Sequence, residues 1–295
     1  MLTLGLPALL ICILCAAAYS TSDYFRKVVP DTSPPAQALF YAVALEAPVL
    51  LVWLLVSGDT HISAGYLLPG LIDAALGLGA NLLFIVAIRR SPLSLMIPLL
   101  TLVPILTALI SGGLIGEWPS AHQAAGIVVV TAGLFLVFIP AHGGFHPLAV
   151  WRNLSREPGA MPMAGVVLFW SASPPMDKIC LTYSSVGMHG LTQLLLLWLT
   201  VGIWLLRTGG RQALKLSPGA GRPLFGVAVM AGLGYGLQLA GYQLTLVAIV
   251  ELFKRTIGLV GALFWGRAFF RETLTAPKIA GIAVIAMGMP LVLLG

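Results

Sequence analysis

The residues best suited to chemistry in this chain stand together in one apolar stretch, Glu251-Leu252-Phe253-Lys254-Arg255-Thr256. A charged side chain at the centre of a bilayer costs about 2.5–3.5 kcal/mol on insertion scales, so an adjacent Lys-Arg pair in or beside such a stretch is informative. A guanidinium forks onto two oxygens of a phosphate or carboxylate, and an ammonium adds a point charge. The start of a helix adds free N–H groups and the positive end of its dipole. Glu251 stands three residues before Lys254 and four before Arg255, so the trio can equally neutralise itself on one helix face. Glu46 is the second unusual residue. It lies midway along another apolar run, just before Pro48, with no basic neighbour in that run. A carboxylate there must be protonated or paired. It reads as a proton-coupling site, as a partner of Lys254 and Arg255, or as a protonated acid bonded to a neighbouring helix.

Ten apolar stretches must position these groups. Of 295 residues, 59% are apolar and 9% charged, against about 25% charged in soluble domains. The mean hydropathy is +0.99. A helix needs about 20 apolar residues to cross the hydrocarbon. The spans expected are 4–22, 36–57, 66–88, 92–114, 121–139, 160–180, 188–206, 224–246, 249–269 and 276–294. The expectation is an all-α integral membrane protein, with no separate soluble domain. The net charge of +6 does not indicate nucleic-acid binding, because the basic residues are scattered at span ends. Thirteen of the 16, among them Arg26, Lys27, Arg89, Arg90, Arg152, Arg156 and Arg271, fall in the connections after odd-numbered spans. By the positive-inside rule that face is cytoplasmic and both termini lie outside. Cys12, Cys15 and Cys180 read as packed, reduced thiols. The N-terminal run lacks a basic leader and reads as a retained first helix.

The last five spans repeat the first five. Glu117 to Glu272, Gly126 to Gly281 and Gly133 to Gly288 share one offset of 155 residues. Tyr19-Ser20-Thr21-Ser22 with Lys27 aligns with Trp170-Ser171-Ala172-Ser173 with Lys178, and Asn81 aligns with Gln238. An odd number of spans per copy inserts the copies upside down relative to each other, which places a binding site between them. The division is 1–140, a connector at 141–159, and 160–295. Polar residues of spans one, three, six and eight then line a shared interior: Tyr19, Ser20, Asn81, Trp170, Ser171, Tyr235, Gln238 and Tyr242. Each taken singly also suits a helix–helix hydrogen bond. Gly126, Gly133, Gly258, Gly261, Gly281 and Gly288 suit close helix packing. Pro92, Pro98 and Pro104 predict a curved, hinge-like fourth span, and Pro174-Pro175 an end or break in the sixth. Glu117 and Glu272 read as elbow residues capping the helix that follows, with Ser120 and Thr275 as N-caps.

The elbow Gly116-Glu117, its echo Arg271-Glu272 and the doubled five-helix plan resemble the drug/metabolite transporter superfamily, in particular its EamA-type members. The resemblance covers nearly the whole chain. It implies ten transmembrane helices, alternating access and a central cavity, and it leaves the substrate open. It also implies cytoplasmic termini, opposite to the charge distribution. Around Lys254-Arg255 the ninth span is similar to that of plastid phosphate translocators, where such a pair grips the substrate's phosphate. That likeness implies the same role for Lys254 and Arg255.

The leading expectation is a secondary carrier of a small polar, anionic or phosphorylated metabolite in a cell membrane, a bacterial inner membrane. The competing reading is a proton-coupled exporter of amino acids, neutral or cationic metabolites or drugs, with Glu46 as partner. A transferase acting on lipid head groups is the reading from another class. His61, His122, His142, His146 and His189 are spread along the sequence, and no His/Asp cluster is expected. No cofactor, metal or catalytic residue is expected. The partners expected are a small-molecule substrate and membrane lipid, with proton or counter-substrate coupling and a homodimer compatible with both carrier readings. Glu251 and the prolines 98, 104, 174 and 175 are the expected structural and gating positions.

Overall fold

A computed structural model describes residues 5–30, 32–91, 96–139, 157–270 and 275–294. Pro92, His142, His146, Arg152, Arg156, Arg271 and Glu272 lie outside the described residues. Among the described residues ten α-helices follow one another: α1 Leu6–Lys27, α2 Pro35–Ser57, α3 Leu67–Arg90, α4 Val103–Ile115, α5 Ala121–Leu136, α6 Ala160–Cys180, α7 Val186–Gly209, α8 Gly221–Leu244, α9 Val247–Phe270 and α10 Ala276–Leu294. Local chemistry sets several ends. Prolines occupy the first turns of α1, α2 and α4, where a missing N–H costs nothing. α2 and α4 stop at Gly58 and Gly116, whose positive φ values of 64° and 72° suit glycine. Ser120 and Gln123 form a reciprocal capping box at α5. Among the described residues seven helical stretches are long and apolar enough to cross a membrane, while α5 is shorter and α9 carries Glu251, Lys254, Arg255 and Arg267.

Two expectations about prolines meet different outcomes. The fourth span is divided, with a 3-10 segment at Ile97–Leu102 leading into α4. Pro98 and Pro104 each sit in the first turn of one of these segments. The sixth span is not broken at Pro174-Pro175: α6 runs through both to Cys180. The two rings remove the N–H partners of the carbonyls four residues back, at Trp170 and Ser171. α6 tolerates that loss because it is packed against both α3 and α4.

The principal packing pairs are α5 with α10, α1 with α8 and α9, α6 with α3 and α4, α2 with α7 and α8, α3 with α7, and α4 with α9. Replacing each helix by the one five places along maps this set onto itself. The chain is therefore two inverted five-helix copies wrapped into one bundle, and almost every seam joins one copy to the other. The α5–α10 seam explains its glycines. A Cβ at Gly133 would lie 2.8 Å from the Ile285 nitrogen and 2.9 Å from the Gly281 oxygen, and one at Gly281 would lie 2.7 Å from the Gly133 oxygen. Gly258, by contrast, does not pack: a Cβ there would meet nothing within 4 Å.

Helix alternation brings the ends of α1, α3, α7 and α9 to one face together with the starts of α8 and α10. Arg26, Lys27, Arg89, Arg90, Arg207, Arg222, Arg267 and Lys278 share it and make it the basic face.

Candidate functional site

A cavity of about 690 Å³ lies between the two copies. Its wall takes Tyr19 from α1, Glu46 from α2, Asn81 from α3, Trp170 and Pro174 from α6, Tyr235 and Gln238 from α8, and Glu251, Lys254 and Arg255 from α9. The repeat partners Asn81 and Gln238 both reach it, and the open space beside Gly258 is part of it. Ser20, Ser171, Tyr242, Pro98, Pro104 and Pro175 do not line it. Ser20 is buried where α1 meets Gly261. The Ser171 hydroxyl donates back to the Val167 carbonyl at 2.6 Å. Tyr242 stands behind the wall, fully buried.

One pole of the cavity is basic. Lys254 Nζ donates to Glu251 Oε1 at 2.5 Å and to Gln238 Oε1 at 2.8 Å, and it lies 5.3 Å from the centre of the Tyr19 ring. Tyr242 donates to the same Glu251 oxygen at 2.7 Å. Lys254 thus arrives with its charge already matched. Arg255, one residue on, does not. Its guanidinium lies 5.8 Å from the centre of the Trp170 ring, and its Nε is buried with no hydrogen-bond partner. Among the described residues no carboxylate pairs with it. Of the trio that could have neutralised itself, only two members do so.

The other pole is acidic and was not among the expected site residues. Asp73 of α3, Asp177 of α6 and His189 of α7 bring their oxygen and nitrogen atoms within 4.8 Å of one another, all buried. His189 Nε2 lies 2.8 Å from Asp177 Oδ1 and 3.8 Å from Asp73 Oδ2. Ser173 donates to Asp73 at 2.6 Å, and the Tyr66 hydroxyl lies 2.9 Å from His189 Nδ1. This corrects the expectation that no His/Asp cluster forms. The histidines are scattered in sequence, but the α3–α6–α7 packing gathers one of them with two acids. A usable signal existed: Asp73 and Asp177 each interrupt an apolar span, as Glu46 does. The spacing would admit a cation, yet both imidazole nitrogens already have partners, so the network is complete as a hydrogen-bonded one.

The two ends of the cavity differ. Toward the basic face it is bordered by Asp23 and Arg26 at the end of α1, by Ile97 and by Phe138. Asp23 and Arg26 are half exposed and pair at 3.0 Å. The opposite face is sealed. Ser63 N donates to Tyr183 O at 2.8 Å, and Ser185 N to His61 O at 2.9 Å, joining the α2–α3 loop to the α6–α7 turn. Glu117 contributes there, and not to its own helix as expected. It pairs with Lys178 of α6 and accepts from Val247 N at 3.2 Å, capping α9. Lys178 also donates to Thr245 O at 3.0 Å. Ser120 caps α5, as expected, in its reciprocal box with Gln123.

Residues 6–139 match the sequence model of the EamA-like transporter family. A crystal structure of a protein 16% identical in sequence aligns with a TM-score of 0.78, over 98% of this chain and 96% of that one. At such identity the likeness concerns the fold. Among curated proteins, none matches.

Proposed function

We infer that this chain, a member of the EamA-like transporter family through residues 6–139, carries a small solute with an anionic group, and that Arg255 receives that group. Family membership makes it a multi-pass membrane transporter of small solutes. The anionic preference rests on one observation: Arg255 borders the cavity, lies over Trp170 and lacks a carboxylate partner among the described residues, with Nε buried and unsatisfied. An unpaired cation at the wall of a poorly solvated cavity, with its Nε buried, is costly, and a carboxylate or phosphate of the solute offsets that cost bidentately. Lys254, already held by Glu251 and Gln238, then orients the solute more than it neutralises it. The two copies rock about the cavity, which in this conformation communicates with the basic face.

The test is a thermal-shift panel on the purified protein, with phosphorylated, carboxylate, zwitterionic and cationic small molecules. A ligand at 100 times its Kd stabilises by about 2.7 kcal/mol. Two charge-assisted hydrogen bonds are together worth about 3 kcal/mol, so Arg255→Gln weakens the anionic ligands about a hundred-fold. If only cationic ligands stabilise the protein, and Glu46→Gln abolishes that stabilisation, the anionic assignment is wrong.

A further inference from the structure

We propose that Asp73, Asp177 and His189 form a proton-binding site whose occupancy holds the face opposite the basic one shut. The proposal deepens the carrier reading, because it assigns the coupling of that same cavity.

The sealed face is closed by the loop before α3 and by the turn between α6 and α7. Asp73 lies six residues into α3, Asp177 three residues before the end of α6, and His189 three residues into α7. The cluster therefore sits directly beneath the seal, on the three helices whose ends make it. Asp73 and Asp177 also line the cavity, so water in the cavity can exchange a proton with them.

Gln193 Nε2 donates to the Tyr66 hydroxyl oxygen at 3.2 Å and to the Gly70 carbonyl at 3.0 Å. With that oxygen accepting, the Tyr66 proton is directed at His189 Nδ1, which accepts. Nε2 then carries the ring's only hydrogen and donates it to Asp177. A neutral imidazole brings no positive charge to the pair. A carboxyl oxygen of Asp73 and one of Asp177 lie within 4.8 Å of each other beside His189, close enough that a shared proton relieves their mutual repulsion.

The other groups facing the cluster do not replace that proton. α6 adds the buried Cys180 thiol and the Ser173 hydroxyl, which donates to Asp73. α8 adds Tyr235, which lines the same cavity as Asp177. α9 presents Lys254, whose charge is engaged by Glu251. Removal of the shared proton leaves two carboxylates within 4.8 Å of each other in a poorly screened interior, and they repel. The separation drives α3 away from α6 and α7 and opens the seal. The sealed state therefore binds the extra proton, acid favours it, and opening releases a proton.

The test needs no transported solute. Spin labels are placed at His61→Cys and Thr182→Cys, exposed positions on the two sides of the seal, in a chain whose three native cysteines are replaced. The protein is reconstituted in neutral phospholipid vesicles, and the inter-label distance is measured between about pH 5 and about pH 9, the range in which a shared carboxyl proton or a histidine titrates. The proposal expects the distance to lengthen as pH rises. Asp73→Asn and Asp177→Asn each keep it short at every pH. The infrared spectrum of the wild-type protein supplies a check independent of any variant: a protonated-carboxyl band is present at low pH and lost at high pH. A pH-independent distance, an unchanged pH response in both variants, or a distance that follows added divalent cation at fixed pH would overturn the proposal.

Discussion

Glu251 offers the sharpest energetic prediction. Its carboxyl is 1% exposed and accepts from both Lys254 and Tyr242. At 2.5 Å the Coulomb attraction of the pair is about 7 kcal/mol gross for an effective dielectric constant near 20. Most of this is offset by the cost of taking both ions out of water. Removing one partner of a buried pair costs about 3–5 kcal/mol, because the other charge is stranded. Lys254 borders the cavity and keeps Gln238 and the Tyr19 ring, so Glu251→Gln belongs at the lower end, about 3 kcal/mol. The double substitution Glu251→Gln with Lys254→Met removes the stranded charge and returns to within about 1 kcal/mol of wild type. Thermal unfolding in detergent micelles of all four proteins reads the cycle. Two single losses that add in the double variant would refute the reasoning, since they would show that the groups do not act as a pair.

Three further outcomes follow from the packing. Gly133→Val drives a side chain into the α10 backbone and destabilises by about 3 kcal/mol, while Gly258→Ala, facing open space, leaves the unfolding midpoint unchanged or slightly raised. Ser120→Ala removes the α5 cap and costs about 1 kcal/mol, measured by the same unfolding assay. Glu117→Gln weakens the link to Lys178 and the α9 N-terminus; a cysteine at the floor of the cavity, Ser173→Cys in the chain stripped of native cysteines, then reacts faster with a membrane-impermeant thiol reagent applied from the sealed face.

The ten helices were legible because hydropathy and span length act locally, and the repeat because glycines at one offset mark a seam the fold uses twice. The α5–α10 contact made Gly126, Gly133, Gly281 and Gly288 readable as packing residues. Tertiary context overrode the rest. Pro174-Pro175 would end an isolated helix, yet α6, packed against α3 and α4, continues through them. Glu117 looks like a local cap, but the N–H it accepts from belongs to α9, 130 residues away. In the trio on α9, spacing alone could not say which cation Glu251 would take; the Gln238 carbonyl beside Lys254 decides it, leaving Arg255 to the cavity. The Asp73–Asp177–His189 cluster depends on three helices meeting, and sequence periodicity carries no record of that meeting.

The central claim is a single hollow between two inverted copies, reached from one face at a time. Gly258→Cys, introduced into a chain without its three native cysteines, tests it most directly, because position 258 borders the cavity and has room for the new side chain. A membrane-impermeant thiol reagent applied to sealed vesicles of known orientation should modify it rapidly from the basic face and slowly from the other. Modification from neither face, or equally from both, would contradict the account.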